Sequence, residues 1–374
     1  MKLAYGIVIA LIAAGLTSAT AEESPKDDTP EEVVPRFTIS TIAGTGERGM
    51  SGDGGPATAA VLQRPTSVAL DSKGNLYIAD EQNRRVRRVT PDGIISTVVG
   101  TGKTTWQDKE LPATETNLSK AYGIAIDHKD NLYVLSRQHS KIFRVGADGM
   151  ARWIAGTGKT GFSGDGGKAT SAQISFPAHL VADKAGNLFL ADTGNNRIRK
   201  ITPEGVITTI AGTGDLGYGG DGGPATEAVL GAPSAIDLDA EGNLYIADFY
   251  NHRVRKIGTD GIIHTIAGTG TSGYNGDGGK ATLAQIGDPC GVVVDESGFV
   301  YIGDQANLRV RVVTPAGTIH TVAGTGERGL TGDGGPAEQA QISHPHVLAL
   351  GKDGSLYVPD HLNAVVRKLT PVSK

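Results

Sequence analysis

The chain has 374 residues, a formal net charge of −5, 54 glycines and one cysteine. The mildly acidic balance and the lack of basic runs argue against a broad nucleic-acid surface. A lone Cys290 excludes an internal disulfide, so stability must come from burial, for which a chain of this length has core enough.

At the start, Lys2 precedes an apolar run from Ile7 to Leu16, and Ala19-Thr20-Ala21 suits a signal peptidase. Residues 1–21 read as a secretory signal, because the run is shorter than the roughly 20 residues that span a bilayer. Export to the periplasm or the medium is expected, with no stable membrane insertion after cleavage and no cysteine for a lipid anchor. Residues 22–36, acidic and proline-bearing, read as a disordered linker.

From Phe37 onward one period governs the chain. Ala-Gly-Thr-Gly begins at Ala43, Ala155, Ala211, Ala267 and Ala323, with a Val99 variant in the one gap, so each start lies 56 residues after the last. Six copies at this interval predict a repeat array in which each unit buries its face on the next. The first copy reads as four short strands, Ser67–Asp71, Asn75–Asp80, Arg85–Thr90 and Ile94–Val99, with tight turns at Ser72-Lys73-Gly74 and Pro91-Asp92-Gly93. Four antiparallel strands per copy predict an all-β, six-bladed β-propeller over 37–374. The sixth copy lacks its fourth strand, and Phe37–Ile42 resembles that missing strand, so the amino-terminal segment is expected to close the ring beside Val365–Thr370.

Gly-Asn-Leu-Tyr-Ile-Ala-Asp followed by Asn-x-Arg-Val-Arg-Lys resembles NHL repeats, in the long form that carries a Ser-Gly-Asp-Gly-Gly-Pro-Ala-Thr insertion and of a secreted bacterial type. The resemblance covers about nine tenths of the chain. It implies the propeller fold, whereas NHL propellers include protein-binding, RNA-binding and enzymatic members. Nothing in the composition supports carrying RNA binding over.

Comparing the six copies singles out four repeated polar positions: Asp53, Asp80, Asn83 and Arg87 in the first, Asp165, Asp192, Asn195 and Arg199 in the third. The second copy replaces all four, with Lys109, Ser136, His139 and Phe143. Joint loss is what a buried ion pair would show, since removing one partner costs about 3–5 kcal/mol while replacing both can be nearly neutral. An arginine bridging two carboxylates, pinning the long loop to its blade, is expected in five copies.

Loops on a rigid scaffold carry binding, so the long-loop face, at the mouth of the central channel, is the candidate surface. One large apolar residue per loop, including Trp106, Phe162, Tyr218 and Tyr274, would form either a stacking rim or packing beneath each loop. Arg64 and Tyr122 flank the innermost strands, and Phe249, Tyr250 and His361 lie in the turns between second and third strands. His179, Cys290, His344 and His346 raise a zinc site, because imidazole and thiolate are good ligands; six-bladed relatives include a zinc-dependent lyase. No spaced metal motif accompanies them, and the alternative places His179 and His346 in polar inner-strand positions and Cys290 in the core. No cofactor is firmly implied; zinc, or calcium at the loop aspartates, are the candidates. The uniform repeat leaves no asymmetric catalytic constellation legible. The expectation is therefore a monomeric, non-catalytic binding or scaffold propeller for a protein, peptide or glycan partner. A metal-dependent lyase or hydrolase with a site at the channel mouth is the alternative.

Overall fold

The computed structural model describes residues 33–107 and 109–372. The leader-like segment 1–21 and most of the 22–36 linker lie outside them. The described chain is a six-bladed β-propeller with four antiparallel strands in each blade, and blade two adds a short fifth, Leu111–Pro112. In blade one the strands run from the channel outward as Pro65–Leu70, Leu76–Asp80, Arg85–Val89 and Ile95–Val99. Among the described residues no helix is long and apolar enough to cross a membrane.

Alternation explains how the blades stack. Leu76, Ile78 and Ile95 of blade one share a core with Val366 of blade six, Val86 and Val99 turn to the opposite face against Leu118 and Ile124 of blade two, and Leu180 and Leu188 of blade three share a core with Leu135 and Ile142 of blade two. Each hydrophobic core is thus an interface between neighbouring blades, as a repeat array requires. The tight turns between first and second strands are fixed by their aspartates. Asp71 Oδ1 accepts hydrogen bonds from the backbone N–H of Lys73 and Asn75 at 3.0 and 2.8 Å, and Gly74 supplies a φ of +79°.

The ring closes through its amino-terminal segment. Phe37–Ala43 pairs antiparallel with Val365–Pro371, with Phe37 opposite Pro371 and Ile39 opposite Leu369. The Phe37 ring meets Tyr301 of blade five edge-on at 6.1 Å, so this strand also seals the joint between blades five and six.

The long insertion has a structural task that its sequence does not announce. Its middle runs down the free edge of the outermost strand: Gly54 N–H donates to Ile95 O at 2.8 Å, Ile95 N–H to Gly55 O at 3.0 Å and Ala57 N–H to Gly93 O at 2.8 Å. The same bonds recur at Gly166, Gly222, Gly278 and Gly334. An outer edge that would otherwise offer unpaired backbone groups is covered. Glycine is required for this close approach, since a Cβ on Gly52 (φ +90°) would lie 2.6 Å from Ala60 Cα.

Candidate functional site

The repeated polar residues assemble inside the blades. Arg87, fully buried, reaches Asp53 at 2.8 Å and Asp80 at 3.6 Å, and Asn83 Nδ2 donates to Asp80 at 2.7 Å and to Gly49 O at 2.6 Å. Arg199 stands at 2.7 Å from Asp165 and 3.2 Å from Asp192, with Asn195 bonded to Asp192 at 2.8 Å. Blades four, five and six repeat the arrangement around Arg255, Arg311 and Arg367. Each arginine ties the edge-covering loop to the two middle strands.

Blade two solves the same problem with aromatic chemistry. Phe143 takes the arginine's place, and Trp106 packs on it at 5.9 Å between ring centroids. Lys141 Nζ sits 4.1 Å from the Trp106 ring and 3.5 Å from that of Trp153. Ser136 and His139 replace the Asp–Asn pair and bond each other at 3.0 Å.

The loop aromatics belong to this architecture. Phe162 lies over Arg197 at 3.7 Å, Tyr218 over Arg253 at 3.7 Å and Tyr274 over Arg309 at 3.7 Å. Tyr218 and Tyr274 also donate to Asp221 and Asp277 of their own loops, at 2.8 and 2.9 Å. Trp106 sits in the blade-two cluster. These four side chains are placed toward the outer half of their blades, each on its own loop, although Phe162, Tyr218 and Tyr274 keep 41–44% of their surface exposed.

The mouth of the channel is where the six copies diverge into chemistry. Tyr122 of blade two reaches past blade one, its hydroxyl 3.2 Å from His346 Nε2 of blade six. The Arg137 guanidinium covers the Tyr122 ring at 4.0 Å, and the His346 and His361 rings lie 5.4 Å apart at a 31° tilt. His361 Nδ1 contacts Pro65 O at 3.3 Å, and Lys120 pairs with the buried Glu81 at 2.8 Å. On blade five the Cys290 thiol donates to Gln305 Oε1, whose Nε2 lies 2.8 Å from His344 Nδ1. Blades five, six, one and two therefore supply one continuous polar constellation. The corresponding positions of blades three and four are Phe176, Ala178, Ala232, Phe249 and Tyr250, with Thr193 and Ser234 their polar members. The mouth is strongly asymmetric in the polar groups that it carries.

Its electrostatics follow from burial beside fixed cations. Burial lowers His361 to about 4, and holds His346 well below the ordinary histidine range with the neighbouring His361 adding to the effect. His344 is lowered by burial and by Arg328. These imidazoles are neutral at physiological pH and act as hydrogen-bonding groups. Burial pushes the Tyr122 phenol up to about 12, and the Cys290 thiol up further, so neither supplies a nucleophilic anion. Arg137 Nε and His346 Nδ1 are buried without a hydrogen-bond partner. Five of the six residues that lead into the innermost strands, Arg64, Phe176, Ala232, Asp288 and His344, adopt left-handed backbone with φ of 44–62°. Non-glycine residues in this region carry strain, of a kind that clusters at binding and catalytic sites.

The proposed metal ligands do not assemble. His179 lies within the joint between blades three and four, its Nδ1 3.1 Å from Ile236 O, and burial lowers it to about 4. Cys290 and His344 are joined only through Gln305, and His346 faces Tyr122. Among the described residues no group of three or more His, Cys, Asp and Glu is arranged to hold a metal ion. One chemically distinctive residue was missed altogether. Asp237 occupies an inner-strand position that is Ala69, Ala125, Val181, Val293 or Ala349 in the other blades. It accepts from Val294 N–H at 2.9 Å, and burial lifts its carboxyl to about 7. Its being the single acid at that register was the available signal.

The opposite face is not featureless. Beside the tight turns lie cavities of about 490 Å³, lined by Asp183, Asp239 and Asp295 among others, and about 610 Å³, lined by Asp71, Asp127 and Lys352 among others. Their aspartates are the turn residues that bond their own backbones. Asp71, Asp127 and Asp239 already satisfy asparagine or backbone partners within the turn. The cavities therefore have room, and the mouth has the uncommitted polar groups.

A family model described as the teneurin NHL domain matches residues 31–115, 213–275 and 269–332, more than half of the chain. The chain belongs to this family. Human Teneurin-4 is 31% identical over 248 residues, covering 58% of this chain and 9% of Teneurin-4. The chain thus spans about a tenth of the length of the curated relatives it matches first. An auxiliary nutrient binding protein from Bacteroides ovatus is 17% identical, covers 91% of this chain and 78% of its own, and superposes with a TM-score of 0.65. Virginiamycin B lyase from Staphylococcus aureus is 14% identical over 90% of this chain and 100% of its own, with a TM-score of 0.52. At these identities the two structures share the fold of this NHL domain and say nothing of its ligand.

Proposed function

We propose that this teneurin-type NHL propeller is a non-catalytic binding protein whose recognition surface is the channel mouth on the long-loop face. The observation that carries the reading is the single asymmetric constellation in an otherwise sixfold repeat: Tyr122, Arg137, His346 and His361 brought together from four separate segments of blades two and six. A rigid ring that fixes buried and half-buried polar and aromatic groups at one end of its channel is suited to binding with little ordering cost. The partner class is a peptide, a protein surface or a glycan. The leader-like segment 1–21 supports an exported setting.

Glycan and peptide arrays probed with the purified chain test this. Binding should be lost in Tyr122→Ala/His361→Ala and kept in Glu241→Gln/Glu296→Gln on the tight-turn face. The reverse pattern would move the site to the other end of the channel.

A further inference from the structure

Two cations at the mouth lack anionic partners. Lys120 is matched by Glu81 at 2.8 Å, and Asp288 by His252 at 3.3 Å. Arg64 and Arg137 have no carboxylate partner among the described residues, and the buried Nε of Arg137 is bonded to nothing. Arg137 is held in place by its stack on Tyr122, whose hydroxyl is anchored on His346. A guanidinium positioned by packing, with donors left over, is an arrangement that receives an external anion, and the planar fork favours a carboxylate. The unpartnered His346 Nδ1 adds one more polar atom in the same place.

The rest of the mouth says what carries that carboxylate. By ring order, blade three stands opposite blade six and blade four opposite blade one. There Phe176 and Tyr250 expose 45% and 60% of their surface, and Phe249 braces Tyr250 at 5.2 Å between centroids. Flat aromatic surface on one side of the ring and neutral planar amides and imidazoles on the other, Gln305 and His361 among them, suit a pyranose ring, which offers an apolar C–H face and a hydroxyl edge. An extended peptide, by contrast, would draw on backbone pairing, and the outer strand edges are already covered by the long loops.

We propose that the mouth binds an acidic glycan, with a hexuronate carboxylate on Arg137 and Arg64 and its sugar face on the aromatic side. The inference rests on the mouth being the binding surface. The test titrates tetragalacturonate, its fully methyl-esterified counterpart and deca-glutamate into the full chain by calorimetry, for wild type, Arg137→Met and Arg64→Gln, with thermal melts to verify folding. Tetragalacturonate should bind saturably and weaken with salt. Its affinity should fall at least tenfold in Arg137→Met and several-fold in Arg64→Gln, with no measurable binding of the ester or the peptide. Equal binding of the ester, or wild-type affinity in both arginine variants, would overturn the carboxylate contact. Equal binding of deca-glutamate would overturn the glycan, and no saturable binding at millimolar tetragalacturonate would overturn the proposal outright. If the ester binds and Tyr122→Ala/His361→Ala abolishes it, the mouth stands as the site while the acidic ligand falls.

Discussion

Removing Arg255 should expose how much the buried ionic clusters contribute. In blade four its guanidinium lies 3.4 Å from Asp248, both side chains fully buried, and 2.6 Å from Asp221, which keeps 30% of its side-chain surface. It also donates to Gly219 O at 3.1 Å, on the edge-covering loop. Arg255→Met leaves Asp248 charged and enclosed, held only by Gly231 N–H and Asn251. The expected loss is about 3–5 kcal/mol, nearly all from Asp248, because the partly exposed Asp221 contact is worth little. Burial already raises the Asp248 carboxyl, and losing the cation raises it further. A raised carboxyl pKa penalises the folded state once pH exceeds the unfolded value, so the deficit should be largest near pH 8 and shrink as pH falls. Asp248→Ser/Arg255→Phe copies the Ser136 and Phe143 solution of blade two and should cost clearly less than the single change. Urea unfolding of wild type, Asp248→Ser, Arg255→Phe and the double variant gives the coupling. A single-variant loss below about 1 kcal/mol, or simple additivity, would refute the reasoning.

Two further predictions concern the inner strands. His179 is lowered to about 4 against an ordinary 6.5, so it remains neutral in the fold while the unfolded chain takes up a proton. Stability should therefore be lost as pH falls from 6.5 toward 4, by up to about 3 kcal/mol from this group. His179→Ser should flatten that slope, since Ser67 bridges blades one and two in the same way, its Oγ accepting Ile124 N–H at 3.2 Å; melting midpoints from pH 4 to 7 measure it. Asp237, raised to about 7, behaves oppositely: the folded carboxyl retains its proton above pH 3.8, and stability declines until about pH 7. Asp237→Asn should stabilise the protein at pH 8 by roughly 2–4 kcal/mol and leave it unchanged near pH 4, as denaturant midpoints at the two pH values would show.

Much of this architecture is legible in the chain because each copy comments on the others. The simultaneous loss of Asp, Asn and Arg in the second copy marks residues that meet in space, and the stray Phe37–Ile42 run matches the strand the sixth copy lacks. What escapes the sequence is where a loop goes. The glycine-rich insertion reads as a connection across one face, but its backbone hydrogen bonds lay it along the outer edge, which carries Phe162, Tyr218 and Tyr274 toward the outer half of their blades. Single-position comparison also hides the mouth. Tyr122, Arg137, His346 and His361 each look like local variation, and only the curvature of the ring makes them neighbours. His179 shows the converse: a histidine one residue out of register with Tyr122 and His346 turns into a blade joint.

The most direct test of the mouth as recognition surface is backbone hydrogen exchange with and without a ligand selected on the arrays. Protection is predicted at 120–122, 137–139, 344–346 and 361–363. Protection confined to the tight turns 183–186, 239–242 and 295–298, with the mouth segments unchanged, would contradict the account.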